Sequence, residues 1–315
     1  MSEKADTLAC LTRETRMLTR IEQSLAHHFA HLEGPHTPPR LLAAMRHAVF
    51  PGGARIRPQL CLAVAGACGD NDPVLAEAAA VAIELLHCAS LVHDDMPCFD
   101  DADARRGQPA VHKVFGEPLA LLAGDGLIVM AFEVVARGGQ MNPQRLGALI
   151  GAVGRGVGAQ EGIVGGQAWE CEPRVDLSRY QRAKTGALFV ASTCGGAIAA
   201  GASPAPWQRL GECLGEAYQV ADDIRDVMGD AAQLGKPVGQ DAQHGRPSAA
   251  AELGLVGALH YFRQLMQQAV DAVPECTSRI AMRRLVLRES ERLVPQVACD
   301  KVMQGQAPLP QVVLS

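Results

Sequence analysis

The sequence predicts one all-α domain, and three observations carry that expectation. Wherever apolar residues are periodic they recur at steps of three and four, the spacing of one helix face. No stretch alternates apolar and polar residues as a half-buried strand would. The composition is 48% hydrophobic and only 4% aromatic, which suits helices packed closely through Ala, Leu, Val and Gly. With 315 residues the chain can bury a sizeable core, and neither a linker nor a clean internal repeat divides it.

Taken in order, residues 8–32 place Leu11, Leu18, Ile21, Leu25, Phe29 and Leu32 on one helical face before Gly34 and Pro35 end the run. A second helix is expected at about 40–50 and a third at 56–68, the latter closed by Gly69 to Pro73. From Pro73 to His93 the chain is apolar nearly all round, the pattern of a buried helix. A similar helix is expected at 117–137, where Asp125 reads as a hydrogen-bonded structural residue because a buried charge needs a partner. The Gly-rich stretch 138–166 reads as close packing, since no strand precedes it and GxGxxG is absent. Helices at 179–200 and 207–228 follow, then a Gly- and Pro-rich loop at 229–247 and a helical tail from 248 to about 304.

The formal net charge of −5 gives no general electrostatic reason to bind nucleic acid. Ten cysteines lie scattered without a CxxC pair, as expected of reduced thiols, so neither disulfides nor zinc are expected. Residues 1–20 lack an apolar signal core, and the apolar windows 74–93 and 118–136 are interrupted by Glu77, Glu84 and Asp125. No membrane span and a cytoplasmic location are the resulting expectations.

Chemistry concentrates in Asp94 to Asp103, ten residues of which five are Asp, at the end of the apolar 73–93 helix. Cations, not anions, are favoured at a helix C-terminus, so Asp94 and Asp95 there call for a bound positive charge. A second cluster places Gln219, Asp222, Asp223 and Asp226 at i, i+3, i+4 and i+7, one face of the 207–228 helix. Like charges at that spacing repel unless solvent or a hard cation intervenes. Oxygen donors without a Cys pair point to Mg²⁺, which binds through a few carboxylates together with substrate phosphates. Arg55, Arg57, Arg105, Arg106, Lys184, Lys236 and Arg246, mostly beside Gly or Pro, could converge on phosphate oxygens.

The motifs DDMPCFD, RRG, DDIRD and GGARIRP, in these places along the chain, resemble the trans-isoprenyl diphosphate synthases, or polyprenyl synthetases. The resemblance covers about 40–250, and the first acidic segment is most similar to those of bacterial geranylgeranyl diphosphate synthases of carotenoid pathways. It implies a single domain over 1–315, with 1–35 as an N-terminal helix and arm. The implied fold is an isoprenoid synthase-type helical bundle around a central cavity, working as a homodimer. The implied reaction condenses isopentenyl diphosphate with an allylic diphosphate, expected to be farnesyl diphosphate, to give geranylgeranyl diphosphate.

By the same resemblance Asp94 and Asp100 would coordinate two Mg²⁺ ions and Asp222 a third, with Asp95, Asp223 and Asp226 in support. Arg105 would hold the allylic diphosphate with Lys184, Thr185, Gln219 and Lys236. Arg57, His87 and Arg106 would hold isopentenyl diphosphate. One departure stands out: the family usually has GGKRxRP, and here the Lys position is Ala54. Arg55 is the residue that could compensate, or affinity for that substrate is lower. Ala89 and Ser90, one turn before Asp94, are small enough to leave room for a longer chain. The alternative readings are a farnesyl diphosphate synthase or cyclase on the same fold, and a non-catalytic partner subunit of a prenyl synthase.

Overall fold

Helix-starting chemistry falls where the chain enters its helices. The computed structural model describes residues 2–174, 177–228 and 248–295. α1 (Ser2–Ala30) is followed by α2 (Pro39–Val49) and α3 (Ile56–Ala67). α4 (Pro73–Asp94) opens with Pro73 in its first turn and Asp72 as N-cap, whose carboxylate accepts from the Leu75 amide at 3.1 Å. A two-stranded antiparallel hairpin, β1 (Ala104–Arg105) and β2 (Gln108–Pro109), comes next. Its two turn residues, Arg106 and Gly107, both have positive φ (53° and 74°), as the primed hairpin turns require. Strands of two residues are too short to give a period, which is why the sequence showed none.

α5 (Val111–Phe115), α6 (Glu117–Gly138), α7 (Pro143–Val157) and α8 (Ile163–Trp169) follow, so the Gly-rich stretch is itself mostly helical. The helix expected at 179–200 is broken in three: α9 (Leu177–Gln181), a π-helical turn at Arg182–Gly186, and α10 (Ala187–Ala199). α11 (Ala205–Met228), α12 (Ala249–Asp271) and α13 (Arg279–Leu293) complete the described chain. Ser248 caps α12 by accepting from the Ala251 amide at 3.2 Å, and Gly254, at φ 69°, kinks it. The tail is thus two helices, and whatever follows residue 295 lies outside the described residues.

Two apolar clusters fill the interior. One joins α1 to α7 with α10; the other joins α3, α10, α11, α12 and α13. α3 and α10 belong to both, and the near-continuous small and apolar surface of α10 contacts helices on several sides. A Cβ at Gly196 would strike the Cys61 carbonyl, so glycine there lets α10 lie directly on α3.

α4 and α6 are each long and apolar enough to cross a membrane, so their few charges do not by themselves exclude a span. Burial separates them: 72% of the α4 window is enclosed by the protein, against 44% for α6. α4 is a core helix. α6 leaves Leu121, Leu122 and Val129 exposed, and Asp125 with them at 57% exposure, so Asp125 is not the buried structural residue the sequence suggested.

Candidate active site

The acidic end of α4 is shaped by its own backbone. Asp94 is the last helical residue and Asp95 caps it, after which the chain coils back so that the Asp100 amide bonds the Asp94 carbonyl at 3.0 Å. The Ala102 amide reaches the Asp95 carbonyl at 3.1 Å. These bonds keep Asp94, Asp95 and Asp100 within one short loop.

The three carboxylates are treated differently. Asp95 is 2% exposed and accepts from both Nε (2.9 Å) and a terminal nitrogen of Arg105 on the hairpin. Burial opposes charge on this pair, raising the Asp95 carboxyl, while their mutual contact favours it. Asp94 instead accepts from Lys184 Nζ at 3.1 Å and from Gln167 Nε2 at 3.0 Å. Lys184 is shared with Glu170 at 2.5 Å, and Glu170 is held in turn by Tyr180 and Gln167. Gln167, Glu170 and Tyr180 were not singled out from sequence. Their signal was the i, i+3 spacing of Gln167 and Glu170 after the glycines, which the close-packing reading passed over.

Lys184 and Thr185 sit on the π turn, a local bulge often found at functional sites. Glycines bring it close to its neighbours: a Cβ at Gly166 on α8 would collide with the Lys184 backbone, and one at Gly215 on α11 with Gly186. The turn therefore bridges the two acidic motifs. Lys184 reaches Asp94, and the Thr185 hydroxyl donates to Gln219 Oε1 at 2.9 Å.

On α11 the carboxylate stripe divides. Gln219 donates to Asp223 at 2.9 Å, and Asp223, 1% exposed, also accepts the Ala249 amide at 2.7 Å, tying α11 to the start of α12. Asp226 is buried beside it. Asp222 is 43% exposed and is paired with Arg225 one turn on. Of the four positions, Asp222 is the carboxylate left open to the outside. Lys236 and Arg246 lie outside the described residues.

The GGARIRP segment supplies the other cations. Arg55, at φ 47°, turns its side chain inward, where it is fully buried and bonded to Glu22 (2.8 Å), Glu84 (2.6 Å) and the Val49 carbonyl (2.7 Å). It cannot stand in for the missing lysine: every arm of its guanidinium is committed, whereas Ala54 is exposed. Glu84, which interrupts the apolar face of α4, has this as its partner. Arg106 packs over Gly53, with Nη2 3.7 Å from Glu84.

Arg57 differs from all of these. Its Nη1 lies 3.4 Å from His87 Nε2, its guanidinium stacks 4.4 Å from the Phe189 ring centre, and its Nε is buried without a partner. Among the described residues no ion pair engages it. Burial, then Arg57, Arg106 and Arg105 in turn, hold the His87 imidazole well below its usual range, so it is neutral. Ala89 is 1% exposed and Ser90 is half-buried with its hydroxyl on the His87 carbonyl at 2.8 Å.

Among the described residues no three His, Cys, Asp or Glu side chains close on a common point. The donors at Asp94, Asp100 and Asp222 are nonetheless all oxygens, and the charge of Asp94 is balanced by an ammonium rather than buried unpaired. That set fits a Mg²⁺ ion that takes its remaining ligands from water and phosphate better than one caged by protein alone.

Residues 38–282 match the protein family described as Polyprenyl synthetase. The chain is 52% identical to a geranylgeranyl diphosphate synthase of Cereibacter sphaeroides, over 90% of this chain and 98% of that one. It is 49% identical to the geranylgeranyl diphosphate synthase of Rhodobacter capsulatus, over 85% and 92% respectively. A solved Helicobacter pylori geranyltransferase, complexed with magnesium and isoprenyl diphosphate, superposes with a TM-score of 0.75 at 28% identity, covering 90% of this chain and 96% of that one.

Proposed function

The chain belongs to the polyprenyl synthetase family, and from that premise we propose that it is a Mg²⁺-dependent trans-prenyltransferase that condenses isopentenyl diphosphate with an allylic diphosphate. The product is geranylgeranyl diphosphate, with farnesyl diphosphate as the allylic substrate. The observation that carries this reading is the pair of acidic motifs linked by the π turn, together with 52% identity to a geranylgeranyl diphosphate synthase. Complete DDxxxxD and DDxxD motifs weigh against a silent partner subunit, and the named relatives weigh against a farnesyl synthase.

Asp94, Asp100 and Asp222 hold the metal, three ions per site, with Asp95, Asp223 and Asp226 fixing the surrounding backbone and side chains. When bound, Mg²⁺ supplies electrostatic stabilisation of the departing diphosphate. Arg105, Lys184, Thr185, Gln219, Lys236 and Arg246 bind that diphosphate and hold it in place. Lys184 exchanges its contact with Asp94 for one with phosphate oxygen, and Glu170 keeps the ammonium on station. Arg57, Arg106 and neutral His87 receive the diphosphate of isopentenyl diphosphate.

The allylic C–O bond breaks, its electron pair leaving with diphosphate. The isopentenyl double bond then forms the new C–C bond, and a proton departs to the released diphosphate. No side-chain nucleophile is needed. The apolar surface of α4 around Ala89 keeps water from the cation and leaves room for the C20 chain.

The whole chain works as one domain, 1–315, in a homodimer whose second copy covers Leu121, Leu122 and Val129 of α6. The cysteines from Cys61 to Cys276 are free, which supports a cytoplasmic setting, and the segment similarity points to carotenoid synthesis as the use of the product. Incubation of the protein with labelled isopentenyl diphosphate, each allylic diphosphate and Mg²⁺ tests the reading. Formation of a C20 diphosphate is expected; absence of product with every primer overturns it.

A further inference from the structure

Tyr218 immediately precedes Gln219 on α11, yet its hydroxyl points to α13. It donates to Glu289 Oε2 at 2.9 Å and accepts from Arg292, whose Nε closes the triangle on Glu289 at 2.9 Å. A guanidinium only donates and a phenol has one proton, so with Arg292 donating, that proton is committed to Glu289. Burial, and then the Glu289 charge, push the phenol far above its usual range, which keeps it protonated.

The ring of the same residue borders the Arg57 site. Phe189 lies 4.5 Å from it at an interplanar angle of 43°, and the Arg57 guanidinium sits 4.4 Å from the Phe189 centroid and 6.0 Å from that of Tyr218. Besides the His87 contact, stacking on this aromatic pair orients a cation that has no carboxylate partner among the described residues and a buried, unpartnered Nε. The Tyr218 ring packs on Phe189 and the second apolar cluster, with open space on another side. A cavity of about 130 Å³, lined by Phe189, Leu214, Tyr218, Leu285, Val286 and Glu289, opens beside it. The hydroxyl triangle is placed to keep the ring from turning into that space.

We infer that Tyr218 is a positioning residue for Arg57, and that its hydroxyl, held by Glu289 and Arg292, makes the isopentenyl diphosphate subsite depend on α13. The identity of the anion rests on the proposed function; the link from α13 to Arg57 rests on the contacts themselves.

The test is steady-state kinetics of the full chain with Tyr218→Phe, Glu289→Met and the double variant, alongside wild type. Tyr218→Phe keeps the ring and removes one oxygen. It is expected to raise the KM for isopentenyl diphosphate about fivefold, the worth of one hydrogen bond, and to lower kcat by less than that. The KM for the allylic diphosphate should stay at its wild-type value. Because both changes break one triangle, the double variant should lie within about twofold of the worse single variant. Arg292→Met, which strikes the triangle from its exposed side, carries the same expectation if either other variant folds poorly. An unchanged isopentenyl KM in Tyr218→Phe, an equal rise for both substrates, or multiplying effects in the double variant would overturn the inference while leaving the function intact. A wild type that makes no product overturns both.

Discussion

Lys184 Nζ lies 3.1 Å from a carboxylate oxygen of Asp94, so the first acidic motif is answered by a cation from a π turn 90 residues further along the chain. The neighbouring Thr185 hydroxyl binds Gln219, three residues before Asp222. One irregular turn thus ties both motifs together. Asp94→Ala and Asp222→Ala should each lower turnover by on the order of 10³-fold, since in the proposed site both carry charge that organises the diphosphate. Circular dichroism should show unchanged helicity, because neither side chain caps a helix or fills the core. Wild-type rates in either variant would contradict the two-motif site.

Arg55 is committed to Glu22, Glu84 and a backbone carbonyl, which leaves Ala54 as a true loss of one cation. Restoring it by Ala54→Lys should lower the KM for isopentenyl diphosphate by roughly tenfold, as one charge-assisted hydrogen bond would. Arg55→Met should instead cost ~3 kcal/mol or more in urea unfolding, because Glu84 would remain buried without its partner. If Arg55→Met were as stable as wild type and raised the isopentenyl KM, Arg55 would be a ligand and not a strut.

The His87 imidazole is held well below its usual range by burial and by the surrounding arginines. With the folded value depressed, its stabilising contribution is fully present above the unfolded value of about 6.5 and is lost as pH falls toward the folded value. Unfolding free energy should therefore decline below pH 6.5. His87→Gln should flatten that decline by at most about 1.4 kcal/mol per pH unit, measured as a slope between pH 6.5 and 5.5. Identical slopes in the two proteins would show that His87 is free to protonate in the fold.

Ala89 is buried on the α4 face one turn before Asp94. Ala89→Phe should shift the product from C20 toward C15 while costing ~1–3 kcal/mol for the added volume. Chromatography of the dephosphorylated products reads the outcome directly. An unchanged distribution from a folded variant would remove Ala89 from the determination of chain length.

Much of this was legible in the residues. The bounds of α3, α4 and α6 followed from helical spacing closed by Gly and Pro, and the two acidic motifs stood out because clustered carboxylates beside packed apolar residues demand a counter-charge. Other features were hidden for physical reasons. The π turn at 182–186 changes no residue pattern and depends on glycines at 166 and 215 that approach it from other helices. The fate of Arg55 was decided by a left-handed backbone that turns it inward, which its place in the motif does not disclose. Glu170 and Tyr180 reach Asp94 through Lys184 and Gln167, contacts made across the fold. The exposed side of α6 looked like core in sequence, because an apolar residue reads the same there whether the fold buries it or leaves it exposed.

In the proposed site Asp94, Asp100 and Asp222 close around divalent ions on a bound diphosphate. A crystal structure with Mn²⁺ and an unreactive allylic thiolodiphosphate, read by anomalous scattering, tests it most directly. Metal peaks are expected bonded to carboxylate oxygens of Asp94 and Asp100 on one side and of Asp222 on the other, with Lys184 moved from Asp94 to a phosphate oxygen. Metal bound by the diphosphate with either motif left out, or Lys184 still on Asp94, would contradict it.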